Sequence, residues 1–167
     1  GGNFNAGLID DCWQRGDTTE YFFKAGQGAT PSNNTGPSGD HTSGTAGYIH
    51  TEANTGFGGS TVFDNSITSP LIDVSPLTTP ELSFWYHMYG SLINKLVIQG
   101  RSSGGSWTTL ATITGQQQSA TTDAWKEAVI DLATYAGDTL QVRWVAYRYQ
   151  GGQNLVDISI DDVDIHE

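Results

Sequence analysis

Leu82-Ser-Phe-Trp-Tyr-His-Met-Tyr89 is the clearest β-strand in the sequence, because its side chains alternate between two faces. The even positions from Phe84 to Met88 share one face, and the odd positions from Trp85 to Tyr89 share the other. Period two indicates a strand with one face in a core. Similar runs, bounded by Gly, Pro, Asn and Ser, follow at Lys95–Arg101, Trp107–Ile113, Lys126–Leu132, Leu140–Tyr149 and Val156–Ile165. The pattern predicts an all-β sandwich of antiparallel strands.

Two irregularities interrupt this pattern. Residues 26–45 are rich in Gly, Ser, Asn, Thr and Pro, which predicts a long loop, and loops of that length are usually functional. In the last run, Ile158 and Ile160 share one phase, whereas Val163 and Ile165 occupy the other. A slip of one residue predicts a β-bulge, which re-aims side chains at the edge of a site.

Length, charge, hydropathy and cysteine content limit the number of domains, the kinds of partner and the kinds of metal site. The 167 residues suit one domain spanning 1–167, and the formal net charge of −11 repels polyanions, so nucleic acid and anionic membranes are poor partners. No run approaches the ~20 apolar residues of a membrane span, so we expect no membrane insertion. Cys12 is the one cysteine, which excludes an intrachain disulfide and a cysteine-cluster metal site.

Several motifs resemble the MAM domain family in order and spacing. The most specific are Gly36-Pro-Ser-Gly-Asp-His-Thr42 and Phe84-Trp-Tyr-His-Met-Tyr-Gly90, with Cys12-Trp13 before them and Ile158-Ser-Ile-Asp-Asp-Val163 at the end. The resemblance implies a jelly-roll-like β-sandwich of two antiparallel sheets with an adhesive or recognition role and no known catalysis. Fold by itself would not license that function.

The sequence departs from the family pattern in two respects. The family's first cysteine would fall at Gly2, and an acidic residue of the first strand is Asn5 here. Disulfide-free versions are similar to modules appended to secreted bacterial hydrolases, peptidases and adhesins. We therefore expect a secreted, extracellular or cell-surface location, with any export signal already removed.

The aspartates at the long loop and at the slip form a candidate cation site. Asp40, Asp161 and Asn5 offer oxygen ligands from distant parts of the chain, which suits Ca²⁺, and the family resemblance implies that Na⁺ is an alternative. The competing interpretation is that Asp40 caps a turn while Asp161 and Asp162 are solvated acids. We do not expect zinc, because His41 has no partner histidine at ligand spacing, and a buried imidazole hydrogen-bonded to backbone is the favoured interpretation.

Aromatic and cationic side chains form a second candidate site, because sugar rings stack on flat aromatic faces. Family positions assign Trp13, Trp107, Trp125 and Trp144 to the core. The residues left as candidate ligand contacts are Tyr89, Arg101, Tyr147, Arg148 and Tyr149.

These observations favour a noncatalytic binding module, carbohydrate-directed and appended to a secreted enzyme or adhesin. No nucleophile elbow, His-Glu-x-x-His helix or P-loop is present. Neutral glycans fit the net charge of −11 best, although a patch of Arg101, Arg143 and Arg148 could override the mean field. The alternative is a protein–protein adhesion or docking module that packs on an adjoining catalytic domain or self-associates; an exposed apolar patch would favour it.

Overall fold

The computed structural model describes residues 12–16, 21–53, 62–151 and 155–167, which form two antiparallel sheets packed face to face. Sheet A has the strand order β1-β4-β10-β7-β8, with β5 paired to β10. Its strands are β1 (Gln14–Arg15), β4 (Val62–Thr68), β5 (Ile72–Asp73), β7 (Ile93–Ser102), β8 (Thr108–Thr114) and β10 (Thr139–Tyr149). Sheet B has the order β2-β3-β11-β6-β9. Its strands are β2 (Tyr21–Gln27), β3 (Gly47–Ala53), β6 (Glu81–Met88), β9 (Lys126–Asp131) and β11 (Ile158–His166).

The core lies between the two sheets and follows the predicted alternation. On β6, Phe84 and Met88 are fully buried towards sheet A. Trp144 of β10 meets them from the other side, with its ring 5.7 Å from the Phe84 ring in an edge-on contact and 5.8 Å from the ring of Trp13. Burial of such large rings contributes the main hydrophobic stabilisation of the sandwich. The all-β fold of two antiparallel sheets is therefore confirmed.

The predicted bulge is present in β11. Asp161 pairs with Trp85, and Asp164 pairs with Ser83, so two residues of β11 lie opposite one residue of β6. Asp162 is the extra residue and has a left-handed φ of 46°. The bulge keeps the apolar side chains on both sides of it in the core while Asp161 faces outward.

The long loop, residues 28–46, covers the outer face of sheet B. Gly36 N donates to the carbonyl of Tyr89 at 2.9 Å, and Ser38 N donates to the carbonyl of Thr121 at 2.9 Å. Further along, His41 N donates to Asp161 Oδ2 at 2.9 Å. The loop is thus held against β6 and β11, beside the acids of the last strand.

Two of the four tryptophans assigned to the core are placed differently. Trp144 is buried and Trp13 packs half-buried against it. Trp107 is half-exposed on the outer face of sheet A, and Trp125 is half-exposed beneath the long loop, next to Tyr48 and His87. The assignment was wrong for Trp107 and Trp125, because both stand in segments that precede strands rather than on inward positions of those strands.

The described residues contain no helix long and apolar enough to cross a bilayer. Their one helical segment is a short 3₁₀ turn, Ala133–Tyr135.

Candidate functional site

The outer face of sheet A carries a group of aromatic and cationic side chains. We call this group the Trp107 face and define it as Lys95, Arg101, Trp107, Arg143 and Tyr147. The strand pairing sets their positions. Lys95 of β7 lies opposite Tyr147 of β10, and Arg143 of β10 lies opposite Gln99, two residues before Arg101 on β7. All five side chains are half-exposed.

Two arginines lie against the Trp107 ring. The guanidinium carbons of Arg101 and Arg143 are 4.4 Å and 4.3 Å from its centroid, which is within cation–π range. Arg101 donates through Nε and Nη2 to the side-chain oxygen of Gln141, and Arg143 Nε donates to Gln99 Oε1 at 2.6 Å. These contacts hold both guanidiniums in place, so little side-chain entropy remains to be lost when a ligand binds.

At the other end of the Trp107 face, a cation again lies over an aromatic ring. Lys95 Nζ lies 4.6 Å from the centroid of the Tyr147 ring. Between the two ends, Val97 and Val145 are paired and are 7% and 5% exposed on this outward side. The longer side chains of the Trp107 face surround this apolar pair on the same side of the sheet.

Charge on the Trp107 face is uneven. The rows that hold Arg101 and Arg143 contain glutamines and threonines and no carboxylate among the described residues. Asp64 lies opposite Tyr147, and Asp73 lies opposite Thr139 at the N-terminal end of β10. Burial holds the pKa of Arg143 below its ordinary value, and the nearby charge of Arg101 lowers it further. The two guanidiniums therefore repel each other beside Trp107.

The sequence-predicted ligand residues divide into three groups. Arg101 and Tyr147 belong to the Trp107 face, and Tyr149 is 50% exposed at the end of β10. Tyr89, which follows β6 of sheet B, lines a cleft of about 640 Å³ together with the long loop.

Arg148 is not available to a surface ligand, which corrects its assignment as a contact. Its side chain is fully buried between the sheets, and it donates to the carbonyls of Tyr149 and Gly151 while lying 5.9 Å from the Tyr21 ring. The residue occupies an inward position of β10, where backbone carbonyls near the strand end accept hydrogen bonds from Nε and Nη2.

Sequence reasoning missed three members of the Trp107 face. Lys95 was not considered, Arg143 was considered only as part of a charge patch, and Trp107 was placed in the core. A signal was present, since Lys95, Arg101 and Arg143 all fall on odd positions of strands whose even positions are apolar. Trp107 lies outside a strand, so periodicity could not place it.

A second cluster, which we call the loop clamp, joins the long loop to the bulge. It consists of His41, Thr42, Trp85, Asp161 and Asp162. The His41 ring stacks on Trp85 with centroids 3.8 Å apart, and its Nδ1 lies 2.8 Å from Asp162 Oδ2. The Thr42 hydroxyl donates to the same oxygen, so the bulge residue secures the loop.

Of the predicted cation ligands, Asp161 belongs to the loop clamp, and Asp40 directly precedes His41 of the clamp. Asp40 accepts hydrogen bonds from Ser43 N at 2.9 Å and Ala46 N at 2.8 Å, the turn-capping geometry of the competing interpretation. Asp161 is 4% exposed rather than solvated, and burial, with smaller contributions from Asp162 and Asp40, raises its pKa to about 6.

Asn5 lies outside the described residues. Carboxylate oxygens fit a hard cation in type, but the described residues hold no group of three or more His, Cys, Asp or Glu side chains that could bind a metal. The Ca²⁺ site therefore stays a prediction.

A third group of ionisable side chains is buried beneath the long loop. Asp157 is fully buried, and burial raises its pKa to about 7. The nearby Thr30 hydroxyl donates to the carbonyl of Thr35 at 2.9 Å, and neither carboxylate oxygen of Asp157 has a hydrogen-bond partner among the described residues. Burial also lowers the pKa values of His50 and His87 to about 4.

Known proteins share this fold and sequence pattern. The chain is 34% identical over 141 residues to neuropilin-1a of Danio rerio, which covers 81% of this chain and 14% of that protein. The chain thus spans only a small part of that relative.

Two solved structures resemble the sandwich. The K1 cleaved adhesin domain of Lys-gingipain from Porphyromonas gingivalis W83 has a TM-score of 0.61 and 20% identity, with 99% of this chain and 95% of that domain covered. TmCBM61 in complex with beta-1,4-galactotriose has a TM-score of 0.57 and 14% identity, with 94% and 89% covered. At these identities the likeness shows a common fold.

The family itself is shown by sequence. The profile of the MAM domain (meprin/A5/mu) matches residues 3–167, nearly the whole chain, and includes the motifs that hold the long loop against β6 and β11. The chain belongs to the MAM domain family.

Proposed function

We propose that this domain is a noncatalytic, extracellular carbohydrate-binding module that binds a polysaccharide along the Trp107 face. The observation that carries the proposal is the half-exposed Trp107 ring with guanidinium and amide groups fixed around it. An indole offers a flat apolar surface to the C–H face of a sugar ring, and the surrounding N–H donors can bind its hydroxyl groups.

The shape of the face also suits a chain of sugars. The floor of Val97 and Val145 is apolar. The row on one side carries glutamine, threonine and arginine side chains, and the row on the other side carries Lys95, Tyr147 and Asp64. An apolar strip flanked by polar side chains matches the two kinds of surface of a pyranose ring.

A protein-docking role is supported less well. The exposed large hydrophobic residues among those described are Leu71, Val129 and Tyr149. They lie before β5, in β9 of the other sheet and at the C-terminal end of β10, so these three residues do not form a continuous apolar patch. Docking surfaces usually have such a patch.

Relatives support a binding role attached to a larger protein. TmCBM61 is described as bound to galactotriose, and the Lys-gingipain domain is described as an adhesin domain. MAM membership, together with the absence of catalytic motifs from the sequence, supports a module without catalysis of its own. We infer that it tethers an adjoining enzyme or adhesin to an extracellular glycan.

Affinity electrophoresis against plant and algal polysaccharides tests the proposal. We expect the wild-type domain to be retarded by at least one polymer and Trp107→Ala to lose that retardation, because the stacking surface is gone. Trp85→Ala is the matched control, since it removes the same ring from sheet B, and it should keep the retardation. Circular dichroism confirms that both variants are folded.

Two outcomes would contradict the proposal. Wild type that migrates freely in every polymer would leave the docking role as the better account. Equal loss of retardation in both variants would remove the Trp107 face as the site.

A further inference from the structure

Three of the seven cations of this chain lie on the outer face of sheet A. The sequence has 7 lysine and arginine residues against 18 acids, yet Lys95, Arg101 and Arg143 share one sheet face. None of the three forms an ion pair with a carboxylate of the described residues, although acids outnumber cations in the chain. Positive charges without a carboxylate partner on an acidic protein indicate a ligand that supplies the negative charge.

We propose that the ligand of the Trp107 face is an anionic polysaccharide, whose carboxylate or sulfate groups pair with Arg101, Arg143 and Lys95. This inference rests on the proposed function and specifies its class of ligand. It replaces the neutral glycan expected from the mean charge, because screening at physiological salt limits surface charges to a range of about 8 Å. Arg101 and Arg143 lie against the Trp107 ring, so their charges act on a ligand bound there, and Asp64 offsets part of the charge of Arg143.

The arginines present suitable donors. Arg143 is bound to Gln99 through Nε alone among the described residues, so both of its terminal nitrogens can donate to one acidic group. Arg101 uses Nε and Nη2 on Gln141 and keeps Nη1. Guanidiniums bind carboxylate and sulfate-like groups with charge-assisted hydrogen bonds, which are about twice as strong as neutral ones.

The spacing of the cations favours a polymer over a small anion. Lys95 and Arg101 are six residues apart on β7, which separates their backbones by roughly 20 Å. A single carboxylate or sulfate cannot reach both. The apolar pair Val97 and Val145 lies between the charged rows, so charged and apolar strips alternate along the strands. An acidic polysaccharide alternates in the same way, with sugar rings between its charged groups.

Nucleic acid fits less well, although it is also a polyanion. Duplex DNA carries about one charge per 1.7 Å, and the net charge of −11 repels so dense a charge once it extends beyond the Trp107 face. Asp64 and Asp73 stand at the margins of the face and would oppose a dense polyanion there as well. A glycan with one charge per sugar places fewer charges against them.

Equilibrium binding to a set of related polymers tests this inference. The set contains homogalacturonan, its carboxyl-reduced neutral form, a sulfated galactan and single-stranded DNA. The wild-type domain should bind homogalacturonan or the sulfated galactan at least tenfold more tightly than the carboxyl-reduced polymer, with affinity that falls as salt rises. The preferred acidic polymer then distinguishes carboxylate from sulfate as the recognised group.

A pair of double variants with equal net charge isolates the face. Arg101→Gln/Arg143→Gln should weaken binding to the acidic polymer about a hundredfold, roughly tenfold for each lost charge-assisted pair. Arg15→Gln/Lys126→Gln removes the same total charge elsewhere and should change affinity less than threefold.

The outcomes separate this inference from the proposed function. Equal binding to the acidic and the carboxyl-reduced polymers would overturn the anionic ligand and leave a neutral-glycan module. Binding to DNA as tight as to the acidic glycans would overturn it as well. Wild type that binds no polysaccharide would overturn both proposals. Equal losses in the two double variants would show a general charge effect and contradict the role of the Trp107 face.

Discussion

Asp157 is a costly residue for this fold, because it buries a carboxyl group without a hydrogen-bond partner among the described residues. Desolvation disfavours its charged form and raises its pKa to about 7. The folded protein therefore keeps the proton that the unfolded chain releases near pH 4. The stabilisation from this group is complete below about pH 4 and is lost as pH rises through 7.

His50 and His87 have the opposite effect on stability. Burial lowers their pKa values to about 4, so the unfolded chain binds protons that the folded protein does not bind up to about pH 6.5. Their contribution rises with pH over the same window in which those of Asp157 and Asp161 fall. We expect the wild-type free energy of unfolding to change little between pH 4 and 6.5.

Asp157→Asn removes the buried acid whose contribution to stability falls with pH and leaves the two histidines whose contribution rises. The variant lacks the buried acid, so its free energy of unfolding should rise between pH 4 and 6.5 and exceed the wild-type value at pH 8 by roughly 2 to 4 kcal/mol. Urea unfolding at several pH values measures both effects. Asp73→Asn, at an exposed acid, is the control. A variant less stable than wild type at pH 8 would contradict a destabilising carboxylate.

At the residue scale, the sequence predicted which face of a strand a side chain occupies better than it predicted the burial and contacts of that side chain. Arg101 and Tyr147 were correctly placed on outward positions of their strands. Arg148 also followed the strand period, but on the inward face, and its burial depends on carbonyl oxygens that the chain brings to it only after folding. Pairing of Trp107 with two arginines from other strands depends on the sheet order, which periodicity does not contain.

At the scale of elements, the long loop and the last strand act together. The bulge at Asp161 and Asp162 was predicted from the phase slip, and the loop was predicted from its composition. Their hydrogen bonds could not be predicted from periodicity, since His41 and Asp161 are 120 positions apart in the chain. The stacking of His41 on Trp85 likewise joins a loop residue to a distant strand. The loop clamp is the element whose stability a cation would change.

A bound Ca²⁺ would stabilise the folded domain by mass action, because the ligands at Asp40 and Asp161 come together only on folding. We expect a chelator to lower the melting temperature and added Ca²⁺ to restore it. Asp161→Asn should abolish the response, and Asp73→Asn should keep it. Identical melting curves with chelator and with Ca²⁺ would leave Asp40 as a turn cap alone.

For the whole molecule, the outer faces of the two sheets differ among the described residues, and we propose that recognition belongs to sheet A. Sheet B is covered on its outer side by the long loop, whereas the outer side of sheet A carries the half-exposed Trp107 face. The sandwich was predictable, since alternation along β6, β7 and β10 requires two apolar faces to meet. Which outer face remains open was not predictable, because the loop's destination depends on hydrogen bonds made after the sheets form.

The position of a bound glycan tests this division most directly. Nuclear magnetic resonance of the labelled domain, titrated with a short oligogalacturonate, reports each tryptophan indole N–H separately. Binding along sheet A predicts that the Trp107 signal and the backbone amides of β7 and β10 shift, while Trp85 and Trp125 stay in place. Shifts confined to Tyr89 and the cleft beside the long loop would contradict the account.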